Sequence, residues 1–195
     1  MARSADPKSK HRILKVAGEL FAERGYDSVR LIDIAQVLDV KHAALYYHFP
    51  GGKKQLYLDV MKASLTEHQR GMEQAITEAE PSIASQLRAV AGWLTAHPPL
   101  NVARMELSDF PAIGEEAAAE LRRISFDALR LPLRTALSEA NDRGETAIHN
   151  VDLAALSFVT LVEALHSSTS QQLREEAREN IEQVIDMLLR GWLPR

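Results

Sequence analysis

Residues 31–49 read LIDIAQVLDVKHAALYYHF. Leu31, Ile34, Ala35 and Leu38 recur at i, i+3, i+4 and i+7, which sets four apolar side chains on one face of a short α-helix. Asp39 follows, and its short polar side chain tolerates a left-handed turn better than most non-glycine residues do. A second short helix is expected from about Lys41 to Tyr47, with Val40, Leu45 and Phe49 facing inward, before Pro50-Gly51-Gly52 breaks the chain. Two such helices cannot bury their apolar faces alone. The preceding segment supplies a partner, because Ile13, Ala17, Leu20 and Phe21 fall at i, i+4, i+7 and i+8. Asp6-Pro7 is the expected cap and first turn of that helix, and Gly25 its stop. The pattern predicts a three-helix helix-turn-helix unit, whose second short helix has the dimensions to enter a DNA major groove.

The outer surface expected for this unit is unusual. Lys41, His42, Tyr46, Tyr47, His48, Lys53 and Lys54 place seven donors or cations within one turn-helix-turn. Lys53 and Lys54 stand at the start of a helix, where cations oppose the dipole, so an anionic partner suits them better than solvent. Charge is divided in the same sense. Residues 1–54 hold ten Lys/Arg and six Asp/Glu, a net of +4, whereas residues 55–195 carry a net of −8. A basic head on an acidic body implies that only the head approaches a polyanion.

Beyond the Gly51-Gly52 turn, helical periodicity continues without alternating strand patterns or internal repeats. A long amphipathic helix is expected from about Lys53 past Met72, then helices near 82–96, 100–109, 115–141, 151–169 and 173–192. Pro132 should kink or split the fourth of these, because it lacks the N–H that would bond the carbonyl four residues back. The expected division is a head of residues 1–54 and a larger helical domain of residues 55–195, joined by the long helix. Cysteine is absent, which excludes disulfides, thiol nucleophiles and thiolate metal sites. The polar, basic residues 1–12 do not resemble a secretory signal, and Val151–Leu165 carries Asp152 and Glu163, so a cytoplasmic protein with no membrane partner is expected. No His-Glu-x-x-His, Gly-x-Ser-x-Gly or phosphate-binding loop occurs. A single Glu-x-x-His, Glu163 to His166, falls short of the paired motifs of a di-metal bundle enzyme. No enzyme, metal site or cofactor is therefore expected.

At residues 10–60 the chain resembles the TetR family of transcription regulators. The resemblance rests on Ile13-Leu14-x-x-Ala17, Leu20-Phe21-x-x-x-Gly25-Tyr26, Ile34-Ala35, Val40 and Leu45-Tyr46-Tyr47-His48-Phe49, followed by a turn with Lys53. It implies that His42, Ala43 and Ala44 face base edges, that Lys41 begins the recognition helix, that Tyr46, His48 and Lys53 hold phosphates, and that Tyr47 lies near the groove wall. Tyr, His and Lys can all donate to phosphate oxygens, and alanine methyls can touch a thymine methyl. Val29 and Arg30 stand where the family usually has a Thr or Ser cap. Ser28 then becomes the expected cap one turn earlier, and Arg30 a replacement phosphate contact. Asp39 replaces the usual turn glycine, Lys41 the usual serine, and Gly51-Gly52 lengthens the next turn by one residue.

The resemblance further implies an all-α protein whose C-terminal bundle binds a small-molecule inducer and dimerises. Candidate cavity residues are Trp93, His97, Met105, Phe110, Phe126, Phe158 and His166, aromatic or polar groups suited to an apolar pocket with a few convergent donors. The expected homodimer surface lies within residues 151–192. One stripe comprises Leu153, Leu156, Thr160, Leu161 and Ala164, and the other Ile181, Val184, Ile185, Leu188 and Leu189. The function implied is a repressor released from palindromic double-stranded operator DNA by a ligand.

Overall fold

The computed structural model describes residues 7–167 and 176–192. Asp6 of the expected first cap, and residues 168–175 between the last two expected helices, lie outside the described residues. Among those described the fold is all-α, with no strand. The helices are α1 (Pro7–Ser28), α2 (Leu31–Leu38), α3 (His42–His48), α4 (Gly52–Glu78), α5 (Ile83–Ala96), α6 (Val102–Arg104), α7 (Phe110–Ile113), α8 (Glu115–Ser125), α9 (Leu131–Asp142), α10 (Val151–His166) and α11 (Ala177–Trp192). π-helical turns at Met105–Asp109 and Phe126–Arg130 connect α6 to α7 and α8 to α9.

Two compact units emerge. The first gathers the described residues of Met1–Ser64 with Ala103–Arg122, and the second those of Leu65–Val102 with Arg123–Arg195. This differs from a division after residue 54. The first turns of α4 bury Leu56, Tyr57, Val60 and Met61, and the segment from Ala103 is hydrogen-bonded to α1 at residues some 80 positions earlier.

In the first unit, Ile13, Ala17, Leu20 and Phe21 of α1 are buried with Leu31, Ile34, Ala35 and Leu38 of α2 and with Leu45 and Phe49. Asp39 takes the left-handed conformation, φ 54°, ψ 48°. The turn closes through the Val40 N–H on the Ala35 carbonyl at 3.0 Å. Val40 was expected to face inward, yet it is 40% exposed, because the left-handed residue before it turns the side chain out. The cap of α2 also differs from expectation. Arg30, not Ser28, is the N-cap, and the Asp33 carboxylate accepts its backbone N–H at 2.9 Å, which satisfies one donor at the helix start. α1 breaks at Gly25, whose φ of 78° only glycine adopts without strain.

The second unit packs Leu87, Val90 and Leu94 of α5 with Leu133 and Leu137 of α9, Ala155, Phe158 and Val162 of α10, and Ile181 and Ile185 of α11. Pro132 acts as predicted. It sits in the first turn of α9, where its missing N–H costs nothing, and the π turn before it absorbs the change of register. After α5 the chain passes through Pro98-Pro99 and is held by α10. The Glu163 carboxylate accepts the Leu100 N–H at 2.9 Å and the Asn101 N–H at 3.4 Å. One turn later, His166 Nε2 meets the His97 carbonyl at 2.8 Å. Glu163 is buried, and desolvation pushes its carboxyl above the ordinary range, only partly offset by the two backbone N–H groups. Gly71 of α4 lies under the Trp93 indole so closely that an added Cβ would come to 2.0 Å from the ring.

Two glycines should therefore respond with opposite signs. Gly71→Ala forces the indole to move and should lower unfolding free energy by about 1–3 kcal/mol. A Cβ at helical Gly92 meets nothing within 4 Å, so Gly92→Ala should raise it by about 0.5–1 kcal/mol. Denaturant titration measures both, and equal signs would contradict the packing. Glu163 makes a separate prediction for pH. Its raised pKa means that the folded state keeps a proton that the unfolded chain has already lost above about pH 4.3. Its contribution is complete below that pH and is lost as pH rises through the folded value. Glu163→Gln should abolish that part of the decline, read as unfolding midpoint against pH.

Candidate nucleic-acid interface

α3 is short, and its position depends on two anchors. Leu45 and Phe49 are fully buried, so the opposite face of the helix must point outward. That face carries Lys41 at the N-cap, His42 and Ala43, all exposed, then Tyr46 and Tyr47, 47% and 55% exposed. Ala44 is half-buried at its flank. The His42 and Tyr46 rings meet edge to face at 5.3 Å, which stiffens the centre of the ridge. The predicted base-facing and phosphate-facing residues of α3 thus share one accessible surface, apart from His48.

His48 is half-buried. Its Nε2 contacts Ser9 Oγ of α1 at 3.2 Å, and its Nδ1 is buried with no partner in the structure. Ser9 therefore ties the end of α3 to the start of α1. Arg12 acts similarly for α2, donating to the Leu38 carbonyl at 3.3 Å. Sequence reading passed over Ser9 and Arg12, because they lie in a helical run whose polar positions look like ordinary solvated surface.

Arg30 is exposed, and its guanidinium lies on Asp33 at 3.0 Å, a pair that holds the Asp33 carboxyl below its usual value. Lys53 is more firmly placed. It donates to the Asp27 carbonyl at 3.2 Å, and its ammonium sits 4.3 Å from the centre of the Tyr26 ring. Burial lowers its pKa, with Asp27 and Asp109 opposing. Lys53 is thus a fixed cation in the first turn of α4, seated on the end of α1 by contacts that spacing alone did not reveal.

Of the candidate cavity residues, three converge in the second unit. The Trp93 and His97 rings stack at 3.6 Å, His97 Nδ1 meets the Trp93 carbonyl at 2.8 Å, and His166 reaches the His97 carbonyl. Phe158 lies fully buried in that unit's core, and Phe126 is half-buried under Arg130. Met105 and Phe110 do not join them. Both are buried in the first unit, where the π turn carries them and Arg122 covers the Phe110 ring at 5.3 Å. Glu163, considered in the sequence only for a metal, lies one turn before His166 on α10 and holds the Leu100 and Asn101 N–H groups. Its Oε1 and the indole N–H of Trp93 are buried and unpartnered in the structure. Among the described residues no three His, Asp or Glu groups converge as a metal site, and no helix is long and apolar enough to cross a membrane.

Residues 13–60 match the family model of bacterial regulatory proteins of the tetR family. The biofilm operon icaADBC HTH-type negative transcriptional regulator IcaR of Staphylococcus aureus (strain Newman) is 45% identical over 53 residues, 27% of this chain and 28% of that relative. The chain thus spans little more than a quarter of that relative's length in the match. Solved structures extend the likeness across the chain. A TetR family transcriptional regulator from Agrobacterium tumefaciens superposes with a TM-score of 0.77 at 22% identity, covering 97% of this chain and 100% of that one. AibR in complex with isovaleryl coenzyme A and operator DNA gives 0.74 at 20% identity, covering 92% and 97%. Residues 13–60 thus carry the match to the tetR family model, and the chain as a whole shares the fold of solved TetR-family regulators.

Proposed function

We propose that the chain is a DNA-binding transcription repressor of the cytoplasm, released from a palindromic operator by a small molecule. The observation that carries this reading is the exposed ridge of α3: Lys41, His42, Tyr46 and Tyr47 face outward while Leu45 and Phe49 lock the helix from behind. Hydrogen-bond donors on an accessible helix, beside a fixed ammonium at Lys53, suit phosphate contact with base reading between. IcaR is named as a negative regulator and AibR was solved with operator DNA and a ligand, which supports the same reading here.

A palindromic operator calls for a two-fold dimer that spaces its recognition helices by about 34–36 Å. The stripe on α10 supports an interface there. Leu153 and Leu156 are 57% and 37% exposed, and Thr160 and Ala164 lie exposed on the same face. On α11, Ile181 and Ile185 are spent on the core of their own unit, while Val184, Leu188 and Leu189 are half-exposed and Met187 is 59% exposed. The sensing site would be the Trp93–His97–His166 cluster with Glu163, whose unpartnered donor and acceptor suit a ligand with both polarities. Ligand binding would favour a state in which the two heads no longer fit the operator.

Binding to DNA from the gene's own upstream region, titrated with salt, tests the reading. Affinity should fall steeply with salt, and Tyr46→Ala should weaken it about tenfold while reducing the salt slope little, since a neutral donor releases no counterion. Loss of binding only through unfolding, or wild-type binding indifferent to salt, would contradict it. Leu153→Glu with Leu156→Glu should turn a dimer into a monomer by sedimentation and abolish operator binding without changing the helical signal.

A further inference from the structure

The break of α1 at Gly25 leaves backbone groups without partners inside the helix. With φ 78° and ψ 171° at Gly25, the Tyr26 N–H turns away from the helix axis, and the carbonyls of the preceding turn lose their donors. Three backbone groups at the break, two carbonyls and one N–H, take partners from one segment far along the chain. Arg104 donates to the Ala22 carbonyl at 2.7 Å and to the Phe21 carbonyl at 2.9 Å. Asp109 Oδ1 accepts the Tyr26 N–H at 2.9 Å, and its Oδ2 accepts the Tyr57 hydroxyl of α4 at 3.1 Å. The two side chains also face each other, with Arg104 Nε 3.6 Å from Asp109 Oδ2.

The π turn makes this possible. Residues five apart on an α-helix lie about 140° apart around the axis. In a π turn the i to i+5 bond, here Phe110 N–H to the Met105 carbonyl, brings such residues one above the other. Arg104 and Asp109 can then act on one helix end together.

The placement reaches a DNA-facing group. The Tyr26 ring packs on Phe21 and Tyr57, with centroids 6.3 and 5.0 Å away, and carries the Lys53 ammonium on its face. We propose that Arg104 and Asp109 cap α1 in trans and are positioning residues for DNA binding: they fix Tyr26, and Tyr26 seats Lys53 where it meets a phosphate. The inference rests on the DNA-binding reading above. It adds that a segment remote from the helix-turn-helix in sequence sets the geometry of a phosphate contact.

Asp109→Ala and Asp109→Asn are the test, compared with Lys53→Ala and with the double variant Asp109→Ala/Lys53→Ala in the full chain. Asp109→Asn keeps a carbonyl acceptor for Tyr26 and is the milder variant should alanine prevent folding. Two readouts apply, amide hydrogen exchange at Tyr26 without DNA, and the slope of DNA affinity against salt. Asp109→Ala should speed Tyr26 exchange at least about tenfold and reduce the salt slope by about one, as Lys53→Ala does, and the double variant should lose no more than one. Asp109→Asn should fall between wild type and alanine in both. Folded Asp109 variants with wild-type exchange and wild-type slope would overturn the proposal, as would slopes that add in the double variant. Wild-type protein without salt-dependent DNA binding would overturn the DNA-binding reading and the role of Lys53 with it. That failure is distinct, because the exchange measurement still separates the variants.

Discussion

A carboxylate at Asp109, 1% exposed, is the constraint around which the first unit is organised. Removing an ion from water costs several kcal/mol even after the protein relaxes, so a buried carboxylate survives only with its lone pairs occupied and an opposite charge close by. Asp109 has a backbone N–H, a phenol and a guanidinium. Each belongs to a different piece of chain: the end of α1, the second turn of α4, and the residue before the π turn. The penalty of burial is thus what makes the arrangement specific, since a displacement of any one piece strands the charge. Burial and Asp109 together push the Tyr57 hydroxyl well above its ordinary pKa, which keeps it a donor at any physiological pH.

The secondary structure around this hub was legible wherever local rules were sufficient. The faces of α1 and α2 followed from spacing, the left-handed turn from Asp39 and the break before α9 from Pro132, because each depends on a few adjacent residues. Val40 shows the limit. Its apolar character argued for burial, but the direction of its side chain follows from the dihedral angles of Asp39, and periodicity is interrupted at a turn. Ile181 and Ile185 show another. A stripe on a terminal helix looks the same in sequence whether it packs on its own unit or on a second copy, and only burial separates the two.

The candidate site was legible in its residue types and less so in its connections. Lys41, His42, Tyr46 and Tyr47 could be named because donors clustered on a short helix are improbable as ornament, and their shared face followed from Leu45 and Phe49. The fixed state of Lys53 could not be read the same way, because its partners Asp27 and Tyr26 are half a helix-turn-helix away in sequence. Met105 and Phe110 show the same limit. They are large apolar residues in the C-terminal part of the chain, and the hydrogen bonds that tie their neighbours Arg104 and Asp109 to α1 in the first unit are not visible in local spacing.

The path of the chain gives these contacts a further meaning. Residues pass from one unit to the other at 64/65, 102/103 and 122/123, and each crossing falls inside a helix: α4, α6 and α8. A π turn follows the second crossing within three residues, and another follows the third within four. π turns are rare and occur mostly as single-turn insertions in a helix, so each needs contacts outside its own turn to hold it. At Met105–Asp109 the π turn is flanked by Arg104 and closed by Asp109, which face each other and both bond the end of α1. The polar groups at the broken end of α1 therefore stabilise the π turn that follows α6, and the turn in return supplies partners to α1. Neither feature is self-sufficient in its own sequence, which is why both appear only when the whole unit is assembled.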